Sequence, residues 1–202
     1  MLSDVFQMYQ DRYEKILAHM YPAKHSTGFP ERNLSVNFAW AYEKTAEARG
    51  EDCVSWFEMQ FGERNNCHAD AVILNLTTRD LLIVEAKRFS HPNAKSREIG
   101  EDIARIHQLV GELKTEDRLD MKAVRRCIGV ILADVWTETN LKRLILRSYE
   151  AGQREPDSEE AFVRRYFPDW TLPGLQDDVR DIAALENYFL LSFLWKVEKC
   201  AL

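Results

Sequence analysis

Two apolar, β-branched runs constrain this chain more than any other feature: His68-Ala69-Asp70-Ala71-Val72-Ile73-Leu74 and Leu81-Leu82-Ile83-Val84-Glu85-Ala86-Lys87. Thr77-Thr78-Arg79-Asp80 between them reads as a tight turn, so the segment predicts a β-hairpin. With a two-residue turn and Thr77 opposite Asp80, Asp70 faces Lys87 and Val72 faces Glu85. Side chains alternate along a strand, which puts Asp70, Glu85 and Lys87 on one face. The two carboxylates become diagonal neighbours, roughly 6–7 Å apart at the backbone, with an ammonium between them. Acids at that separation can share one divalent cation. The neighbouring positions on both faces are apolar, so both faces of the sheet are expected to be covered. Carboxylates at the end of a buried sheet cost several kcal/mol unless a cation or a hydrogen-bonding partner compensates. The competing reading of Glu-x-Lys is a solvated charge alternation at an exposed strand end.

The rest of the chain supplies layers for that hairpin. Val5, Met8, Tyr9, Tyr13, Ile16, Leu17 and Met20 have helical spacing, predicting a docking helix over residues 4–20, capped by Ser3 or Asp4 and stopped before Pro22. A second helix is expected from Pro30 to about Arg49, with Leu34, Phe38, Ala41, Tyr42 and Thr45 inward and Gly50 at its end. Val54 to Phe61 alternates as a strand. Beyond the hairpin, Ile99, Ile103, Ile106, Leu109, Val110 and Leu113 predict a helix from about Glu98 to Leu113. The continuous apolar run up to Asp134 marks a central strand. Helices are expected over 138–149 and in a short turn over 161–166. Asp181 to Lys199, apolar on most sides, is read as a helix that is either sandwiched in the core or part of a subunit interface.

A length of 202 residues fits one domain, with a core at about 31–135 and helical additions at 1–21 and 138–202. The 46% hydrophobic and 30% charged content is that of a soluble globular chain. No apolar run reaches transmembrane length, and the start lacks the features of a secretory signal, so a cytoplasmic protein is expected. Cys53, Cys67, Cys127 and Cys200 have no C-x-x-C spacing and read as reduced thiols. No second Cys/His cluster completes a zinc site around Cys67-His68-Asp70. A net charge of −6 argues against non-specific coating of nucleic acid, but leaves room for a local basic rim around an acidic centre.

The order helix, strand, strand, strand, helix, strand, with Asp70 on the second strand and Glu85-Ala86-Lys87 ending the third, resembles the PD-(D/E)xK nuclease superfamily. The resemblance covers residues 31 to about 135. It implies an α/β restriction-endonuclease-like core, a central mixed sheet of about four strands flanked by helices, with extra N- and C-terminal helices. It also implies a metal site built from an acid on the first helix, Asp70 and the Glu85/Lys87 pair. Glu31-Arg32-Asn33-Leu34 looks like the acidic helix start of the archaeal Holliday-junction-resolvase branch, so Glu31 is the first choice for that acid. Glu43 is the reserve, and Glu58 on the first strand is a poorer candidate. The family's Pro-Asp is Ala69-Asp70 here, a relaxation that removes no ligand.

The chemistry implied is phosphodiester hydrolysis of DNA by a Mg²⁺-dependent nuclease, most simply an endonuclease, with Mn²⁺ as a substitute ion. Asp70, Glu85 and the backbone carbonyl of Ala86 would hold the ion. Glu31 would reach it through water or hold a second one, and Lys87 would orient the attacking water. Arg88, with Lys95 and Arg97, would form a basic rim, and Arg105 and Gln108 on the following helix are candidate DNA contacts. His68 is either a phosphate contact or a structural histidine. The alternative function is a catalytically silent binding or regulatory module on the same fold. A homodimer through the C-terminal helix is a further expectation, because paired sites can cut both strands of a duplex in one encounter.

Overall fold

The computed structural model describes residues 2–20, 30–61, 67–89, 101, 104–106, 108, 119–136, 179–181 and 188–194. In chain order these form α1 (Leu2–His19), α2 (Glu31–Glu47), β1 (Cys53–Phe61), β2 (Cys67–Asn75), β3 (Asp80–Phe89), β4 (Arg126–Trp136), β5 (Val179–Asp181) and β6 (Tyr188–Leu194). The strands make one mixed sheet in the order β1-β2-β3-β4-β6-β5. All neighbours are antiparallel except β3 and β4, which run parallel. The fold is therefore α/β with a mixed sheet, and the four strands expected from the sequence are its first four positions.

One face of the sheet carries α1 and α2. Ala71 and Ile73 of β2, Leu82, Val84 and Ala86 of β3, and Ile128, Val130 and Leu132 of β4 form one core with Leu34, Phe38, Ala41 and Tyr42 of α2. The helix α1 packs on the outside of α2, where Phe6 and Tyr9 meet Phe38 at ring-centroid distances of 5.3 and 5.9 Å. Val5, Tyr9 and Tyr13 are buried as the spacing predicted, whereas Met20 is exposed. The helix starts at Leu2, so Ser3 and Asp4 lie inside its first turn instead of capping it, and Asp4 pairs with Arg49. At the end of α2 the Gly50 N–H donates to Glu47 O and the Glu51 N–H to Ala46 O, the two bonds of a Schellman end. Gly50 takes the positive φ of 71° that this ending needs.

Two further expectations require correction. The hairpin turn spans four residues, because Asn75 rather than Thr77 pairs with Asp80. The Asn75 side chain fixes it: its Oδ1 accepts the N–H groups of Thr77 (3.0 Å) and Thr78 (2.8 Å). Arg79 closes the turn at φ 63°, its N–H donating to Asn75 O. The second correction is at the C-terminal end, where 181–199 was expected to be a helix. There β6 pairs with β4 on one side and β5 on the other. Residues 188–194 are a strand, so the helical circumference that motivated a dimer through a C-terminal helix is not there. The expected helices at 138–149 and 161–166 lie outside the described residues. Of the expected 98–113 helix, residues 101, 104–106 and 108 are described and are helical.

Candidate active site

The site lies on the sheet face opposite α2. A register slip of one residue would have turned every side chain over, but a slip of two preserves the face. Asp70 and Glu85 therefore remain on one side. The last regular pair of the hairpin is Ala71 with Val84, so the next positions in the same register are Asp70 and Glu85, directly opposite instead of diagonal. There the ladder gives way to a side-chain bond: the Ala86 N–H donates to Asp70 Oδ2 at 2.6 Å. On the other edge of β2, β1 pairs through Phe57–Ala71 and Met59–Ala69, which sets Glu58 across from Asp70. Three carboxylates, Glu58, Asp70 and Glu85, thus occupy one cross-strand row on three adjacent strands.

Their environments differ. Glu85 is buried, Asp70 half-buried and Glu58 exposed. Burial pushes the Asp70 carboxyl above the usual carboxylate range. The Ala86 N–H and the Lys87 ammonium pull it back, while the charges of Glu58 and Glu31 raise it further. Glu31, in the first turn of α2, is thus close enough to be felt at Asp70. Glu43 lies twelve residues further along the helix, roughly 18 Å away. Its charge is felt at Cys53, beside the far end of the hairpin where Cys53 pairs with Asn75. Of the two candidates for the helix acid, Glu31 is the one whose charge is felt at Asp70.

Arg105 enters from the helical residues beyond the hairpin, with Nη1 3.7 Å from Glu85 Oε2. It is half-buried beside an acid of the row, not displayed on the helix surface, while Gln108 is exposed. What the structure shows of Ala86 is its N–H on Asp70 and its side chain in the core on the helix face. The side chain of Arg88, and Lys95 and Arg97, lie outside the described residues. His68 is exposed, two residues from Asp70 on the same face.

Glu58, the poorer candidate for the helix acid, stands opposite Asp70 in the row. It adopts φ 54°, a left-handed conformation that glycine, and to a lesser extent Asn and Asp, normally supplies, in the middle of a strand. A visible signal was the change of phase in the apolar residues of β1, from Val54 and Trp56 to Met59 and Phe61. The odd-numbered residues of this strand face the helices, so Val54 and Trp56 point to the open side.

Among the described residues, no three His, Cys, Asp or Glu side chains converge closely enough to enclose a metal ion. Mg²⁺ does not ask for that, since it binds through one or two carboxylates and keeps several waters. The donor set of Asp70 and Glu85, all hard oxygen and crowded by like charge, fits such an ion. Compared with protein-family models, with curated proteins and with solved structures, the chain finds no match. No helix among the described residues is long and apolar enough to cross a membrane.

Proposed function

We propose that this chain is a Mg²⁺-dependent deoxyribonuclease of the PD-(D/E)xK type, acting through Asp70, Glu85 and Lys87. The observation that carries the reading is the row of acids facing one another just past the last backbone pair of the hairpin, with Lys87 close enough to act on the Asp70 charge. Asp70 and Glu85 would hold the ion, with Glu31 and Glu58 at its margin. When bound, the ion supplies charge stabilisation for the phosphoryl group under attack. The protein's own part is positional. The Ala86 N–H fixes one oxygen of Asp70, leaving the other available. The Lys87 ammonium donates to the attacking water, orients it and favours loss of its proton. Arg105, next to Glu85, contacts a phosphate oxygen of the substrate and offsets charge in the row.

The test uses supercoiled, linear, branched and single-stranded DNA with Mg²⁺, Mn²⁺ or EDTA. Cleavage is expected with either metal and is lost in EDTA. Asp70→Ala abolishes Mn²⁺ binding by calorimetry, whereas Lys87→Ala and Lys87→Met retain DNA and metal binding and lose cleavage by about 10²-fold or more. A Lys87→Met variant that cuts at the wild-type rate removes Lys87 from the chemistry. A silent binding module is favoured by one observation, the Arg105–Glu85 ion pair, which gives a carboxylate of the row a protein cation. DNA binding without cleavage in any metal would establish that reading instead.

A further inference from the structure

The row of acids has two unlike neighbours on its own face of the sheet. On one side lie Gln60 and His68, paired across β1 and β2. The β2–β3 register, carried past its last backbone pair, sets Lys87 opposite His68. On the other side lie Trp56, Val72 and Ile83, paired in line across β1, β2 and β3. One flank is therefore polar and cationic, and the other is apolar. Successive rows are about 7 Å apart, two residues along a strand.

Exposure along the apolar flank is graded. Ile83 and Val72 are buried, but Trp56 is 67% exposed and Val54, the next residue on that face, is 53% exposed. The site is closed over β3 and open over β1, the edge strand of the described sheet. Edge strands ordinarily carry charge on their open side, and this one displays an indole two residues from Glu58.

We infer that Trp56 is a stacking platform for an unpaired base, and that the substrate is nucleic acid with a single-stranded or splayed nucleotide beside the scissile phosphate. This deepens the nuclease reading and rests on it. A nucleotide has the same two-sided chemistry as the surface. Its phosphate is anionic and matches the Lys87 and His68 flank, and its base offers an apolar π-face for the indole. Stacked, paired bases inside a duplex present no free face to a side chain, so the platform selects unpaired nucleotides. Stacking is tolerant of base identity, because each base has such a face. The platform therefore chooses structure, not sequence.

The test measures fluorescence anisotropy of a labelled oligothymidylate of about 12 nucleotides, within the usual span of single-strand sites, and of a blunt duplex of the same length. The protein is the wild type in EDTA, so that the probe is not consumed. Adding Trp56→Ala is expected to weaken binding of the single strand by about 10-fold and to erase its preference over the duplex. Adding Trp56→Phe, which keeps a ring, restores most of the preference. Trp56 is exposed, so circular dichroism and the melting temperature are expected to stay unchanged. Equal affinities with and without the indole overturn the platform and leave the nuclease reading standing if the wild-type protein still cleaves. Failure to bind or cleave any DNA removes both. A sedimentation mass that falls from dimer to monomer on Trp56→Ala overturns the inference in another way, by making this edge a contact between two copies.

Discussion

A left-handed backbone at a residue with a Cβ stores free energy on the order of 1 kcal/mol. Glu58 holds such a conformation at φ 54°, across from Asp70. Glycine would relieve it, so Glu58→Gly is expected to raise the melting temperature by roughly 2–4 °C while weakening metal binding and cleavage. A variant that is both more stable and fully active would show Glu58 to be a structural accident. Asp70 behaves alike for an electrostatic reason. Its raised carboxyl pKa means that the folded state holds the proton more tightly than the unfolded chain does. Stability from that source is present below the unfolded value of 3.8 and is lost as pH rises through the folded value. Asp70→Asn keeps an oxygen for the Ala86 N–H and removes the charge. Without metal at neutral pH it should melt no lower than the wild type, and the gap should close in acid. A lower melting temperature at pH 7 would mean that the carboxylate is held by favourable contacts.

At the scale of elements, most of the helix–hairpin order was legible because long periodic runs and strong end signals do not depend on distant contacts. Asp70, Glu85 and Lys87 were found on one face although the register was misjudged, since face is a matter of parity and the slip was two residues. The turn itself was not legible. Its length is set by Asn75, whose side chain accepts from two backbone N–H groups and donates to Glu51 Oε2 at 2.7 Å, a contact no local pattern announces. Asn75→Ala should therefore destabilise by about 2–3 kcal/mol, given roughly 1 kcal/mol or a little less for each of the three part-buried hydrogen bonds lost. A lower urea midpoint at unchanged slope would show it, and an unchanged midpoint would move the cause of the register elsewhere. The strand β6 was misread for a different reason. A continuous apolar run such as Tyr188–Leu194 has no period, so it fits a buried helix and a central strand equally well. Its aromatic residues were the available hint. The exposed Trp56 was also invisible in the sequence, because which phase of β1 faces the helices is decided by packing.

Across the whole molecule the helix face and the site face do separate jobs, and their buried acids respond to pH in ways that can be measured. Burial pushes the Tyr42 phenol from 10.0 to about 12, the Cys53 thiol from 9.0 to about 11 and the Cys127 thiol from 9.0 to about 12. Tyr42 belongs to the core under α2, and Cys127 lies on the other face, in β4 beside Leu81. Each is a weak acid that the fold keeps protonated. The unfolded chain releases these protons first, so the folded state binds more protons between about pH 9 and 12, and stability falls as pH rises through that window. Cys53 is only half-buried, so its share is discounted for solvent screening. Taken together, the loss between about pH 8 and 10 should be on the order of 1–2 kcal/mol. Cys127→Ala separates this from packing. Losing the thiol lowers stability at every pH by removing contacts, but it should also flatten the decline above about pH 9. Urea melts at a series of pH values give both quantities. A decline as steep in Cys127→Ala as in the wild type would show that alkaline unfolding is driven by other groups and that the Cys127 thiol ionises in the folded state as readily as in the unfolded one.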